Sequence, residues 1–324
     1  MFYRQEEQLC YDDVLLVPGK SLDSRTLAET RSRIDGFDLS VPIMSANMKS
    51  VTGPKMAEAV YKAGAIGALH RAYSIEDRIE DLAKLSKKGI KVFGSVGVHD
   101  HPDELRALLE TSYFWVLDVA NAYSDAVAEK IKLIKKIRPS SFLVVGNVST
   151  AEGTRFLDEA GADAIKVGQG CGATCTTRIV TGHGYPQFSA VYNCSKVTEK
   201  PIIADGGIKD IGDVVKAIGA GAKLVMSGYL FAGCEESAGL EYRDGTKEYF
   251  GMASAKGIVK KGRLEGVVGA VKKTGDVKEV VEKVKAGLES ALSYSNSRTL
   301  DEFRRKAVFV KVTPHAVVEN YPRV

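Results

Sequence analysis

Eight short, continuously apolar stretches rich in β-branched residues recur along this chain, with helix-like segments between them. They read as strands at 41–46 (VPIMSA), 65–70 (AIGALH), 90–97 (IKVFGSVG), 114–120 (FWVLDVA), 142–148 (FLVVGNV), 163–168 (DAIKVG), 200–207 (KPIIADGG) and 222–228 (AKLVMSG). Runs that are apolar throughout, rather than alternating, suit parallel strands buried on both faces. The segments 53–64, 74–89, 149–161 and 210–221 have apolar positions at helical spacing, with serine or aspartate at several starts and glycine at their ends. Eight strands alternating with helices predict a (β/α)8 TIM barrel, an α/β fold in a single domain over residues 1–324. A doubly wound open sheet is the alternative that the pattern leaves standing.

The chain of 324 residues is long for an ordinary domain but suits such a barrel. No linker or low-complexity stretch divides it. After the last strand, from about Phe231 to Gly275, a Gly- and Lys-rich excursion intervenes, with a hairpin turn expected at Asp244-Gly245. A helix over 276–295 follows. Barrel chemistry sits in the loops after the strands, so a long loop there reads as a lid over the site.

Composition excludes several classes. The net charge of +4, with both signs mixed along the chain, does not mark a nucleic-acid binder or a membrane-surface protein. No apolar run is long enough to span a bilayer, and the charged N-terminus lacks a secretory signal. Five cysteines without a CxxC pair argue against a disulfide framework or structural zinc, and for free thiols in a cytoplasmic protein.

Candidate chemical groups fall just after strands: His70-Arg71, Asp118 with Asn121, Asn147, the 168–177 loop, Asp205-Gly206-Gly207 and Ser227-Gly228. In a barrel these converge on one mouth. The loop KVGQGCGATCTTR carries three glycines in five residues and then Cys175. A cysteine there can act as a nucleophile, its thiolate favoured by backbone N–H groups or a nearby cation, or it can be a small buried residue. Gly206 and Gly207 can offer N–H groups to a phosphate and Asp205 can hold ribose hydroxyls, or the three can form a plain tight turn. Cys10, Cys171, Cys194, Cys234, His183 and the Lys-Lys pairs, including Lys260-Lys261, read as packing, loop or surface residues.

The ordered motifs YDDVLLVP (11–18), SANM (45–48), LDVANAYS (117–124), GNV (146–148), CTTR (175–178), GYPQFSAV (184–191), IIADGGI (202–208), YFGM (249–252) and EG (265–266) resemble the IMP dehydrogenase / GMP reductase family across nearly the whole chain. The resemblance implies a barrel in which Cys175 attacks C2 of a purine nucleotide, with hydride moving between C2 and a nicotinamide. It implies Thr177 and Glu265 as the proton-transfer pair. Met48, Asp205, Gly206, Gly207, Gly228, Gly251 and Met252 would hold GMP or IMP, and Asp118 and Asn147 would face the cofactor. It further implies a homotetramer and a K⁺ held by backbone carbonyls near Gly170 and Gly172.

Three features favour the reductase branch, which uses NADPH. His70 runs directly into the next helix, with no room for the regulatory domains that dehydrogenases of this family usually insert there. DVANAYS resembles the reductase pattern. Between Met252 and Glu265 stands only ASAKGIVKKGRL, without the Arg-Tyr pair that a dehydrogenase uses to activate water. The alternatives are a dehydrogenase lacking its regulatory domains, or a non-catalytic purine-nucleotide regulator. Departures from the family pattern motivate the second. Gly170-Cys171-Gly172-Ala173 replaces the usual Gly-Pro-Gly-Ser, Tyr229 stands where a small residue is usual, and the segment before Glu265 is shortened.

Overall fold

The computed structural model describes residues 6–258 and 264–320. All eight expected strands form one parallel sheet: β1 (Ile43–Ser45), β2 (Ile66–Gly67), β3 (Gly94–Val96), β4 (Phe114–Asp118), β5 (Phe142–Val148), β6 (Ala164–Val167), β7 (Ile202–Asp205) and β8 (Leu224–Ser227). Their order in space is β2-β1-β8-β7-β6-β5-β4-β3. The two outer strands meet through a parallel bridge between Ala68 and Phe93. There Phe93 N donates to Gly67 O at 3.0 Å and Leu69 N to Phe93 O at 2.8 Å. That contact closes the sheet into a (β/α)8 barrel and removes the open-sheet alternative.

Helices α1 (Pro54–Lys62), α2 (Ile75–Lys87), α3 (Pro102–Thr111), α4 (Asp125–Ile137), α5 (Ala151–Glu159), α6 (Gln187–Ser195), α7 (Ile211–Gly219) and α8 (Val277–Tyr294) surround it. Their starts follow from local chemistry. Ser74, Thr150 and Asp276 each accept an N–H from the first turn of α2, α5 and α8, a cap worth about 1 kcal/mol. None of the helices among the described residues is long and apolar enough to cross a membrane.

Two apolar cores result. One lies between strands and helices, with Val145, Ile165, Val225, Leu288 and Phe303 among its members. The other fills the barrel interior with Met44, Ile66, Phe93, Phe114, Phe142, Ile203 and Met226. An N-terminal hairpin, Ser32–Ile34 paired with Phe37–Leu39, inserts Ile34, Phe37 and Leu39 into that interior. Phe37 sits 3.9 Å from Phe114 and 5.4 Å from Phe93, ring centre to ring centre. Its turn is Asp35-Gly36, both at positive φ, the dipeptide such a tight turn favours.

The long excursion is an ordered ribbon where it is described. Thr246–Phe250 (β9) pairs antiparallel with Val268–Lys272 (β10). The expected turn at Asp244-Gly245 forms, with Tyr242 N donating to Thr246 O at 2.8 Å. Buried Lys247 anchors the ribbon by donating to the carbonyls of Cys234, Glu235 and Ser237 at 2.9–3.2 Å. Ser50, in the loop after β1, bonds both the N–H and the C=O of Phe250. Residues 259–263, which include Lys260-Lys261 and part of the shortened segment, lie outside the described residues.

Candidate active site

The loop after β6 begins at Gly168, whose backbone passes so close to β7 that a Cβ there would lie 2.0 Å from the Asp205 carbonyl. Only glycine allows that approach. The loop then turns back, with Cys175 N donating to Gly172 O at 3.0 Å. Cys175 next pairs with the far limb of the ribbon. It bridges to Gly266, while Thr176 N donates to Glu265 O at 2.8 Å and Val267 N to Thr174 O at 2.9 Å. This pairing brings Glu265 beside the short helix Thr177–Val180.

The consequence is a continuous line of side chains. The Cys175 thiol donates to Thr177 Oγ1 at 3.1 Å, and the Thr177 hydroxyl donates to Glu265 Oε2 at 2.7 Å. All three groups are half-buried. A thiol, a hydroxyl and a carboxylate in series can pass a proton from sulfur to carboxylate and back.

A second cluster lies across the mouth. Lys166, on β6, is 2% exposed. Its Nζ lies 2.9 Å from Asp118 Oδ1 at the end of β4 and 2.6 Å from Asp205 Oδ2 at the end of β7. It also donates to Asn147 Oδ1. Asn147 Nδ2 in turn reaches Asp205 Oδ2 at 2.9 Å and Gly168 O at 2.6 Å. Asn147 is aimed inward because the β5–β6 ladder skips it, a bulge of the kind that re-aims side chains beside active sites. Burial alone would push the Asp118 carboxyl up, but Lys166, Arg71 and a hydrogen bond from Asn47 outweigh it and hold it low. Burial likewise opposes the Lys166 ammonium, and the two carboxylates more than restore it.

The residues expected to bind nucleotide gather near these clusters. Gly206 and Gly207 form a left-handed turn after Asp205, with φ of 89° and 74°. Gly206 faces the Cys171 thiol, and Gly207 packs on Gln187 and Tyr11. Gly228 sits beneath the Met48 sulfur and the Tyr249 hydroxyl. Gly251 adjoins Thr174, and the Met252 sulfur accepts the Lys49 N–H at 3.4 Å. Tyr229 is exposed and packs edge-on against Tyr249, ring centres 6.2 Å apart.

Other expectations resolve locally. Cys171 is a loop residue whose thiol donates to Gln187 Oε1 and the Asp205 carbonyl at 3.3 and 3.4 Å, and burial pushes its pKa up. Cys194 and Cys234 are buried. His183 is exposed and bonded to Thr181. Asn121 caps a turn by accepting from Tyr123 N at 3.2 Å. His70 Nδ1 accepts the Ala72 N–H, and burial first, then Lys49 and Arg78, lower its pKa to about 4. The loop around Gly170 and Gly172 offers neutral carbonyl oxygens. That donor set suits a monovalent cation, and no group of three His, Cys, Asp or Glu side chains able to hold a metal occurs among the described residues. Sequence reasoning missed Lys166, although a lysine inside an all-apolar strand is itself a signal.

The fold and these groups define a (β/α)8 barrel with a hydrogen-bonded line of cysteine, threonine and glutamate and a lysine-bridged pair of carboxylates at its C-terminal face. The domain described as "IMP dehydrogenase / GMP reductase domain" matches residues 8–323. Proteins named GMP reductase are similar over most of their length. That of Bacillus subtilis (strain 168) is 39% identical over 91% of this chain and 93% of its own. That of Lactococcus lactis subsp. cremoris (strain MG1363) is 38% identical over 90% and 91%, and that of Staphylococcus carnosus (strain TM300) 38% over 91% and 94%. The chain belongs to the IMP dehydrogenase / GMP reductase family.

Proposed function

We propose that the protein is a GMP reductase: GMP, NADPH and two protons give IMP, NADP⁺ and ammonium. The observation that carries this reading is the hydrogen-bonded line from Cys175 through Thr177 to Glu265. Similarity to proteins named GMP reductase supports the choice of branch.

The Cys175 sulfur attacks C2 of GMP, and its proton passes through the Thr177 hydroxyl to Glu265. The S–C2 bond forms as the C2=N3 double bond opens. Glu265 then returns a proton to the exocyclic amine. The C2–N bond breaks, ammonia departs, and a thioimidate on Cys175 remains. NADPH, when bound, supplies the hydride that C2 then accepts. The C2–S bond breaks with its electron pair on sulfur, freeing IMP and the Cys175 thiolate. Asp205 keeps Oδ1 for the ribose hydroxyls, since Oδ2 is taken by Lys166 and Asn147. Backbone N–H groups at Gly206, Gly207 and Gly228 meet the phosphate, and Met48, Gly251 and Met252 line the purine. On the cofactor side, the Asp118 carboxylate is an acceptor. Arg71 Nε, buried without a partner among the described residues, is a donor awaiting one. A nicotinamide nucleotide carries both complements. A K⁺ on the carbonyls near Gly170 and Gly172 would steady the Cys175 loop.

Paired absorbance assays test the reading: NADPH consumption with GMP, and NADH formation from NAD⁺ with IMP. GMP-dependent loss of NADPH, abolished in Cys175→Ala, is the expected result. NADH formation from IMP would overturn it in favour of a dehydrogenase. Binding of GMP without turnover of any purine nucleotide would favour a regulator.

A further inference from the structure

The Lys166 ammonium has three N–H donors, and all three are used, on Asp118, Asp205 and Asn147. It is buried, and among the described residues its acidic partners are Asp118 and Asp205. Two carboxylates from strands on opposite sides of β6 therefore share one cation. One belongs to the nucleotide side of the mouth and the other to the cofactor side, an assignment that rests on the function proposed above.

We propose that Lys166 is a positioning residue that keeps Asp118 and Asp205 ionised together and so holds both halves of the binding site in accepting form. Two carboxylates crowded into one partly buried site without a counter-ion do not both ionise at neutral pH. They share a proton that is released only as the pH rises. A shared proton turns an acceptor into a donor, and a ribose hydroxyl loses its partner. The other groups facing the pair do not replace the lysine. Arg71, from the loop after β2, reaches Asp118 only through its main-chain carbonyl, at 3.4 Å, and at longer range. The Cys171 thiol and the Tyr249 phenol, which face Asp205, are held neutral by burial and by that carboxylate. Asn47 and Asn147 are uncharged.

The test is the pH dependence of GMP affinity, measured calorimetrically from pH 6 to 9 in the parent, Lys166→Met, Lys166→Arg and the double variant Lys166→Met/Asp118→Asn. Affinities are taken relative to the parent at each pH, so that titration of the GMP phosphate cancels. In Lys166→Met, GMP should bind at least ~10-fold more weakly at pH 7 and recover with rising pH, by up to about tenfold per unit. Lys166→Arg should follow the parent. The double variant, with no carboxylate pair left to share a proton, should regain affinity and lose the pH slope. A Lys166→Met protein with the parent's pH dependence overturns the proposal. If Lys166→Met does not fold, the double variant decides: it should fold and bind GMP, and its failure to bind overturns the proposal equally. If the parent itself does not bind GMP, it is the proposed function that fails. The shared proton is then read directly as a protonated-carboxyl stretch in the infrared difference between Lys166→Met and parent, and its absence refutes the role given to Lys166.

Discussion

Replacing Thr177 by valine keeps the volume of the side chain and removes only its hydroxyl. Among the described residues that hydroxyl links the Cys175 sulfur, 3.1 Å away, to the Glu265 carboxylate, 2.7 Å away. A hydrogen bond to a charged group contributes about 1.5–3 kcal/mol, and a positioned proton-transfer group about 10²–10⁴ in rate. In the proposed mechanism Thr177 carries the proton and holds no part of the nucleotide. The expected result is therefore a fall in kcat of about 10²–10³ with GMP affinity changed by less than ~3-fold. The assay is NADPH consumption with GMP, paired with ammonia release to confirm coupling. Because the relay acts as one unit, Thr177→Val/Glu265→Gln should be no slower than the worse single variant. Parental kcat in Thr177→Val, or losses that multiply in the double variant, would refute the relay. A large loss of GMP affinity with kcat intact would instead place Thr177 in substrate binding.

Three further outcomes follow from the packing. Gly228→Ala would set a Cβ 2.5 Å from the Met48 sulfur and 2.9 Å from the Tyr249 hydroxyl. The flexible Met48 tip must then shift, an overpacking cost of about 1–3 kcal/mol that should appear as a lowered Tm, with weaker GMP binding under the proposed reading that Gly228 and Met48 line the nucleotide site. His70 is neutral in the fold, with a pKa of about 4 against 6.5 for the free side chain. Its folded pKa is the lower one, so the unfolded chain takes up the proton first as pH falls. Stability is untouched above about 6.5 and is lost between 6.5 and 4 by about 3 kcal/mol. Urea unfolding across that range should show a shallower slope in His70→Gln, and an unchanged slope would contradict the assignment. Phe37→Ala empties the aromatic plug of the barrel and should cost about 3–5 kcal/mol, read as a lowered denaturation midpoint with GMP affinity in the folded enzyme preserved.

The barrel was legible because parallel strands buried on both faces leave unbroken apolar runs, and each of the eight predicted ranges contains its strand. Length was less legible. IKVFGSVG yields a ladder only over Gly94–Val96, because pairing there depends on neighbours far away in sequence. The Asp35-Gly36 hairpin was available from its dipeptide and went unread among the early polar residues. The link between Cys175 and Glu265 was of another kind. No periodicity joins a glycine loop to a ribbon limb ninety residues later. Family resemblance named the pair, and the antiparallel bridge at Gly266 supplies the physical reason they meet. The Lys166 cluster was hidden for the opposite reason. A strand pattern averages over its one charged residue, and the two aspartates that explain that charge come from other strands.

Under the proposed reading, the relay also bears on why this site would release ammonia rather than consume water. Hydrolysis of a thioimidate requires a base that faces the incoming water on the open side of C2. Glu265 Oε2 is occupied by the Thr177 hydroxyl, and Thr177 is in turn occupied by the Cys175 thiol. Oε2 of that carboxylate therefore addresses the Cys175 sulfur through Thr177. Across the mouth, the carboxylates of Asp118 and Asp205 are both ion-paired to Lys166, and the Asp118 carboxyl is held low against its burial by Lys166, Arg71 and Asn47. His70 follows β2 at the same end of the barrel. Its Nδ1 is taken by Ala72 N–H, and its lowered pKa makes it a weak proton acceptor. Among the described residues, Glu265 Oε2, the Lys166-bound oxygens of Asp118 and Asp205 and His70 Nδ1 are thus committed to other partners. Installing an Arg-Tyr pair between Met252 and Glu265 is accordingly the change expected to admit hydrolysis, detected as NADH formed from NAD⁺ and IMP where the parent forms none.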